Sequence, residues 1–275
     1  MALSIESKVR LNNGVEMPVL GLGVWQTPSG RATQQAVRWA FEAGYRLIDT
    51  AKLYGNERDV GIAVKESGVP REEVFVTTKL WNSDHGYESA LRAFDESLKR
   101  LGLGYVDLYL IHWPVPRLRD ETWRALERIL KEGKARAIGV SNYTVRHLDE
   151  LARSASIPPA VDQVEFSPFL YSEDFLRHGK GAGIQVEAYS PLTKGEKLGH
   201  PVLKRIAAVL GRSPAQILIR WSLQHGLVVI PKSSRRERIQ ENARVFDFEL
   251  SADEMRALDA LSEDYHTSWN PRDAP

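Results

Sequence analysis

The sequence predicts an α/β fold, a (β/α)8 barrel in which eight parallel strands alternate with eight helices. Short runs rich in Val, Ile, Leu and Tyr recur between longer segments with helical spacing, the pattern of repeated strand–helix units. A length of 275 residues suits one such barrel with one core, so residues 1–275 are read as a single domain. The run Gly21-Leu22-Gly23-Val24-Trp25 lacks the third glycine of a dinucleotide-binding loop and leads into the turn Thr27-Pro28-Ser29-Gly30. That argues against an open doubly wound sheet, which would otherwise share the local pattern.

Taken in order, the first element is a hairpin from Val9 to Met17, where Asn13-Gly14 between alternating residues predicts a two-residue turn. Barrel strands follow at 19–24, 46–50, 74–79, 106–112, 136–140, 160–165, 185–189 and 228–231. Helices are predicted at 32–43, 57–67, 87–101, 120–132, 144–153, 173–182, 214–224 and 252–262. Local chemistry marks their ends. In the second helix Val60, Ala63 and Val64 share one face, and Gly68 and Pro70 stop it. Ser213 caps a helix that starts with Pro214, and Ser251 with Glu254 forms a capping box. Two short helices, at 200–210 and 236–242, stand outside the alternation.

Composition narrows the function. Hydrophobic residues are 43% and charged residues 27%, an ordinary globular balance that excludes a disordered or fibrous chain. The formal charge of +1 is spread along the chain without a polybasic stretch, so no nucleic-acid partner is expected. The absence of Cys removes disulfides, thiolate nucleophiles and Cys-bound metals. Met1 to Arg10 carries Glu6, Lys8 and Arg10 in place of an apolar signal-peptide core. No apolar run approaches the roughly 20 residues that span a bilayer. A cytoplasmic monomer acting on a small molecule, without a membrane partner, is the expectation.

Side chains alternate along a strand, so parity assigns faces. Leu47 and Asp49 share one face of their strand; the matching faces hold Phe75, Thr77 and Lys79, then Leu108, Leu110 and His112. Each strand thus ends in an ionisable residue where barrel enzymes assemble their sites, and Tyr54 lies in the loop after Asp49. Taken singly, each has a plain structural explanation: a satisfied histidine, a helix cap, a lysine reaching solvent, a packed rim aromatic. Together they suggest chemistry. A Lys79 cation beside Tyr54 is expected to lower the phenol's pKa, Asp49 to hold that cation, and His112 to orient a substrate oxygen. Glu165 and Glu187 fall on the same inward parity, as partners of Lys79 or as hydrogen-bonded barrel polars.

These residues sit in runs that resemble the aldo-keto reductase family. The runs are Gly44-Tyr45-Arg46-Leu47-Ile48-Asp49-Thr50-Ala51, Tyr54-Gly55-Asn56-Glu57, Thr78-Lys79-Leu80-Trp81 and Asp107-Leu108-Tyr109-Leu110-Ile111-His112-Trp113-Pro114. Further on come Gly139-Val140-Ser141-Asn142, Gln163-Val164-Glu165, Ala188-Tyr189-Ser190-Pro191-Leu192 and Ile230-Pro231-Lys232-Ser233. The resemblance spans essentially the whole chain and implies a barrel capped at its bottom by the N-terminal hairpin. It implies a tetrad of Asp49, Tyr54, Lys79 and His112 that reduces aldehydes and ketones with NADPH, NADH serving less well, and with no metal. Tyr54 is then the proton donor and Lys79 its activator.

The same resemblance implies that Ser141, Asn142 and Gln163 bind the nicotinamide carboxamide and that Tyr189 stacks on the ring. Gly23, Val24, Trp25, Asp49, Ser190, Pro191, Leu192, Ile230, Ser233, Ser234, Glu241 and Asn242 complete the cofactor set. Lys232 and Arg238 are assigned to the 2′-phosphate, with Arg235 a further candidate, since three arginines at 235, 236 and 238 cannot all reach one phosphate. Trp25, Trp81 and Trp113, with Tyr54 and His112, would line the substrate mouth. The segment after Trp113 is short and the tail modest, which suggests a shallow, open pocket. Val24, where many relatives carry Thr, is a departure; the tail Tyr265-His266-Thr267-Ser268-Trp269-Asn270-Pro271 resembles the prokaryotic branch of 2,5-diketo-D-gluconate reductases. The competing readings are a non-catalytic nicotinamide-binding redox sensor, which the intact tetrad disfavours, and a barrel hydrolase or isomerase.

Overall fold

A computed structural model describes residues 3–273; the ends of the predicted unit, Met1, Ala2, Ala274 and Pro275, lie outside the described residues. The chain opens with an antiparallel hairpin, β1 (Lys8–Arg10) and β2 (Glu16–Pro18), paired with Val9 opposite Met17. Its connection is not the expected two-residue turn. Leu11 N–H donates to Val15 C=O at 2.9 Å and Gly14 N–H to Leu11 C=O at 2.9 Å, so Asn12, Asn13 and Gly14 form a three-residue loop. Gly14 occupies the left-handed position at φ 86°, the geometry of a type I turn followed by a bulge, to which Asn-Gly is equally suited.

Eight parallel strands follow: β3 (Gly21–Gly23), β4 (Leu47–Asp49), β5 (Phe75–Leu80), β6 (Val106–Ile111), β7 (Ala135–Ser141), β8 (Val161–Glu165), β9 (Gln185–Tyr189) and β10 (Val228–Ile230). They pair in sequence order, and the ring closes where Leu20 bridges Val229 and Gly23 bridges Lys232. Helices α1 (Arg31–Glu42), α2 (Glu57–Glu66), α3 (Tyr87–Leu101), α4 (Arg119–Lys131), α5 (Val145–Ala152) and α6 (Glu173–Gly181) fill the first six crossovers. The extra helix α7 (Pro201–Leu210) precedes α8 (Pro214–Gln224), and α9 (Arg236–Ala243) and α10 (Ala252–Asp259) follow the last strand. This is the predicted barrel, with both extra helices where spacing put them. The Ser213 and Ser251 caps form as read, and the backbone N–H of each donates back to the side chain of Gln216 and Glu254 respectively. Among the described residues no helix is long and apolar enough to cross a membrane.

Strand parity separates two apolar bodies. Outward side chains such as Ile48, Val76, Tyr109, Ile138 and Val229 pack against the helices. Inward side chains Leu47, Phe75, Leu108, Val161 and Val228 form a second body inside the barrel, sealed by Leu11 and Met17 from the hairpin. The ring is tight enough to require glycine at one inward position, because a Cβ on Gly139 would stand 2.4 Å from Val161 O. With its bottom filled, the barrel is left open at the C-terminal ends of the strands, where loops define a cleft.

Candidate active site

The cleft is a cavity of about 800 Å³ at the C-terminal rim, within the size range of ligand sites. At its floor the expected residues converge. Lys79, fully buried on β5, donates to Asp49 Oδ1 on β4 at 2.6 Å, to Thr50 C=O at 3.1 Å and to Tyr54 Oη at 3.2 Å. Tyr54 is brought there by a short helical turn over Lys52–Tyr54 that Gly55 ends in the left-handed region at φ 68°. His112, just past β6, packs edge-on against Tyr54 and Trp81 at ring separations of 5.7 and 5.2 Å.

The electrostatics follow from burial and one cation. Burial alone would lower the Lys79 pKa, but Asp49 and then Tyr54 outweigh it, so the ammonium stays charged. On Tyr54 the balance differs from the sequence expectation. Burial is the largest influence and raises its pKa above the ordinary phenol value; Lys79 pulls downward as expected and is outweighed. The result is a phenol that keeps its proton through neutral pH. Burial, reinforced by Lys79, pushes His112 well below the usual imidazole range, so it is a neutral hydrogen-bonding group.

One wall carries a preset polar array. Asn142, in the left-handed region at φ 63°, donates to His112 C=O at 2.9 Å and accepts from Tyr189 OH at 2.7 Å. Ser141 Oγ lies 3.0 Å from Asn142 Nδ2, and Gln163 Nε2 donates to Asp49 Oδ2 and Glu187 Oε2, each at 2.8 Å. Both amide hydrogens of Gln163 are thus engaged, and the residue lines the cavity. Gly23, Ser190, Pro191, Leu192, Ile230, Ser233, Ser234, Glu241 and Asn242 also line the cavity, as expected. Val24 does not. Gly23 faces inward, so Val24 faces out, and its side chain is fully buried in the core between barrel and helices.

At the far end Lys232, Arg235 and Arg238 line the cavity, whereas Arg236 turns away to pair with Glu42 at 3.0 Å. Partial desolvation pulls Lys232 below the ordinary lysine value, and among the described residues no ion pair engages Lys232, Arg235 or Arg238. Cations without counter-ions beside Ser233 and Ser234 fit an anionic ligand group such as a phosphate. Amide, hydroxyl and ring groups at one end and cations at the other fit the two ends of a nicotinamide dinucleotide.

Trp25, Trp81 and Trp113 line the cleft, with Trp25 37% exposed at its mouth. The tail forms more of the pocket than its length suggested. Glu165 accepts from Thr267 N–H at 2.7 Å, Ser268 N–H at 3.1 Å and Thr267 Oγ1, which sets Trp269 5.0 Å from Trp113. Glu165 is thus a partner of the tail and not of Lys79. Lys194, overlooked in the sequence, donates to Thr267 C=O and lies 5.2 Å from the Trp25 ring. The only sequence signal for it was the dense turn Ser190-Pro191 to Gly195, where Ser190, Thr193 and Lys194 all take positive φ. Trp269 lies beyond the last periodic segment, and its only signal was its place in the tail run Tyr265 to Pro271.

A model of the aldo/keto reductase family matches residues 19–263. The chain is 53% identical over 271 residues to the glyoxal reductase of Bacillus subtilis (strain 168), covering 98% of each protein. Among solved structures, an aldo-keto reductase enzyme from a Medee basin deep-sea metagenome library superposes with a TM-score of 0.94 and 45% identity, over 98% of this chain and 100% of that one. Bombyx mori aldo-keto reductase in complex with NADP is similar at a TM-score of 0.90 and 36% identity, over 100% of this chain and 99% of that one.

Proposed function

The chain belongs to the aldo/keto reductase family, and on that premise we propose that it is an NADPH-dependent reductase of small carbonyl compounds. Its substrates on this reading are aldehydes, α-dicarbonyls and keto-sugars, reduced to alcohols by an enzyme of the NADP⁺ alcohol dehydrogenase type. It works as a monomer in the cytoplasm, with residues 1–275 as one unit. The observation that carries the reading is the Asp49–Lys79–Tyr54 chain, 2.6 and 3.2 Å long, at the floor of a cavity that His112 shares.

NADPH, when bound, supplies the hydride from its nicotinamide C4 to the carbonyl carbon. The remaining chemistry belongs to the protein. Ser141, Asn142 and Gln163 hold the carboxamide, Tyr189 backs the ring, and Lys232 with Arg238 grips the 2′-phosphate, which NADH lacks. Neutral His112 donates a hydrogen bond that orients the carbonyl oxygen. As that oxygen gains negative charge, the Tyr54 O–H bond breaks and its proton forms the alcohol O–H. Lys79, held by Asp49, stabilises the tyrosinate left behind. Trp25, Trp81, Trp113 and Trp269 enclose a small apolar space that suits short substrates.

The relative named as a glyoxal reductase supports the α-dicarbonyl part of this range. The test is NADPH oxidation by purified protein across glyoxal, methylglyoxal, small aldehydes, diketones and sugar aldehydes, with NADH in parallel. Carbonyl-dependent oxidation favouring NADPH is expected. Cofactor binding without turnover over the whole panel would overturn the enzymatic reading and leave the sensor.

A further inference from the structure

Inside the top of the barrel, one polar cluster holds two buried carboxyls and one ammonium. Asp49 contacts Lys79 at 2.6 Å, and on its far side Gln163 Nε2 links Asp49 Oδ2 to Glu187 Oε2 through two bonds of 2.8 Å. Glu187 is fully buried on β9, and among the described residues its Oε1 has no hydrogen-bond partner. Its neighbour in register on β10 is the apolar Val228. The charged and titratable groups that bear on it are Asp49 from β4, Lys79 from β5 and Tyr54 from the following loop, with the neutral Gln163 from β8.

One buried cation can offset one buried carboxylate, and an unpaired second charge in such a place is expensive. Asp49 touches the ammonium and is the ionised partner. Glu187, reached only through an amide, balances the cluster by holding a proton. Its surroundings agree: burial first, then the Asp49 charge, push its carboxyl up to about 8, while Gln163 and Lys79 pull the other way and are outweighed.

On the reading above, with Tyr54 as proton donor, we propose that Glu187 is a positioning residue that sets how firmly Tyr54 holds its proton. Protonated, Glu187 leaves Tyr54 under the pull of Lys79. Ionised, it adds a second negative charge to the cluster and keeps the proton on the phenol. The effect is read most directly in the reverse reaction. Oxidation of an alcohol sends its C–H hydride to the nicotinamide C4 of NADP⁺ and its O–H proton to Tyr54 Oη, which must first be a tyrosinate. Ionisation of Glu187 therefore restrains alcohol oxidation at alkaline pH and, because a weaker acid gives up its proton less readily, slows carbonyl reduction there as well.

The test is single-turnover oxidation of a small primary alcohol by NADP⁺, in wild type, Glu187→Gln and Glu187→Asp. In wild type the logarithm of the rate should climb with pH, flatten near Glu187's titration and climb again. Glu187→Gln, permanently neutral, should climb without the step: equal to wild type near pH 6.5 and about tenfold faster near pH 9.5, the result of lowering the Tyr54 pKa by about one unit. Glu187→Asp should restore the step. A purely structural role would lower the rate by the same factor at every pH, and a constant ratio or superimposed profiles would overturn the proposal.

A second measurement needs no variant: NMR titration of the apo protein labelled with ¹³C in its glutamate carboxyls. One glutamate should titrate near 8, far above the rest; ordinary values for every glutamate would overturn the proposal. The two readings fail separately. Oxidation by Tyr54→Phe at the wild-type rate would remove the proton-donor assignment, whereas an inactive Tyr54→Phe with no anomalous glutamate would remove Glu187 alone.

Discussion

Along the inner wall of the barrel, side chains change character over a single two-residue step. Leu47 gives way to Asp49 on β4 and Val161 to Gln163 on β8, while β5 passes from apolar Phe75 through Thr77 to Lys79. Below the step the interior is apolar and plugged by Leu11 and Met17; above it a buried ammonium, two carboxyls and an amide are tied together by bonds of 2.6 to 2.8 Å. The lower half is held by burial of apolar surface and tolerates no charge. The upper half can hold charge because Lys79 meets Asp49, Thr50 and Tyr54 together, and its geometry is kept by the rigid strands beneath. The difference teaches that stability and chemistry are stacked along the same strands, so they should be separable by substitution.

The largest expected effect is on the upper half. Tyr54→Phe should lower carbonyl-reduction kcat by about 10²–10⁴-fold, the usual weight of a general acid, with unchanged NADPH affinity and unchanged Tm. Near-normal turnover would sink the assignment. On the lower half, Phe75→Ala should cost about 3–5 kcal/mol in denaturant unfolding while the folded fraction keeps its wild-type kcat. A large loss of kcat without loss of stability would show that the halves are coupled.

A smaller effect is expected at the cationic end of the cleft. Lys232→Ala should raise the KM for NADPH roughly tenfold or more, the value of one charge-assisted contact of about 1.5–3 kcal/mol, and barely change the KM for NADH. Equal changes would mean that Lys232 does not read the phosphate.

The smallest concerns Asp162, a carboxyl on the outer, apolar side of β8. It is almost fully buried, meets Tyr143 N–H only at 3.4 Å, and its Oδ2 has no partner among the described residues. Burial raises its pKa well above the carboxylate range. Because the folded state holds this proton more tightly than the unfolded one, its contribution is full at low pH and fades as pH rises through the folded-state pKa. Within that window stability should fall by up to about 1.4 kcal/mol per pH unit on this account, and Asp162→Asn should flatten the dependence. An unchanged slope in chemical denaturation against pH would remove Asp162 as its source.

Much of this architecture was legible because period and parity are local. The alternation that put Asp49, Lys79 and His112 on one face also put Leu47, Phe75 and Leu108 beneath them. What escaped depended on contacts distant in sequence. Parity marked Glu165 and Glu187 as inward but could not say that one faces the tail and the other an amide bridge to Asp49. Val24 stands in a run whose neighbours line the cavity, although alternation alone assigns it outward. The pull of Lys79 on Tyr54 was legible; the larger effect of burial was not, because it depends on how deeply the loop after β4 sinks. At the hairpin, Asn13-Gly14 suits two loop lengths, and strand pairing selected the longer.

The clasp of Glu165 on the tail has an evolutionary side. Its carboxylate takes hold mainly of main-chain N–H groups at Thr267 and Ser268, which nearly every residue type offers. The path of the tail is therefore guaranteed by a residue that the tail does not contain. Positions such as Trp269 are free to be exchanged by mutation while the segment stays moored. New substrate preferences can then arise in this segment, with the barrel inherited unaltered.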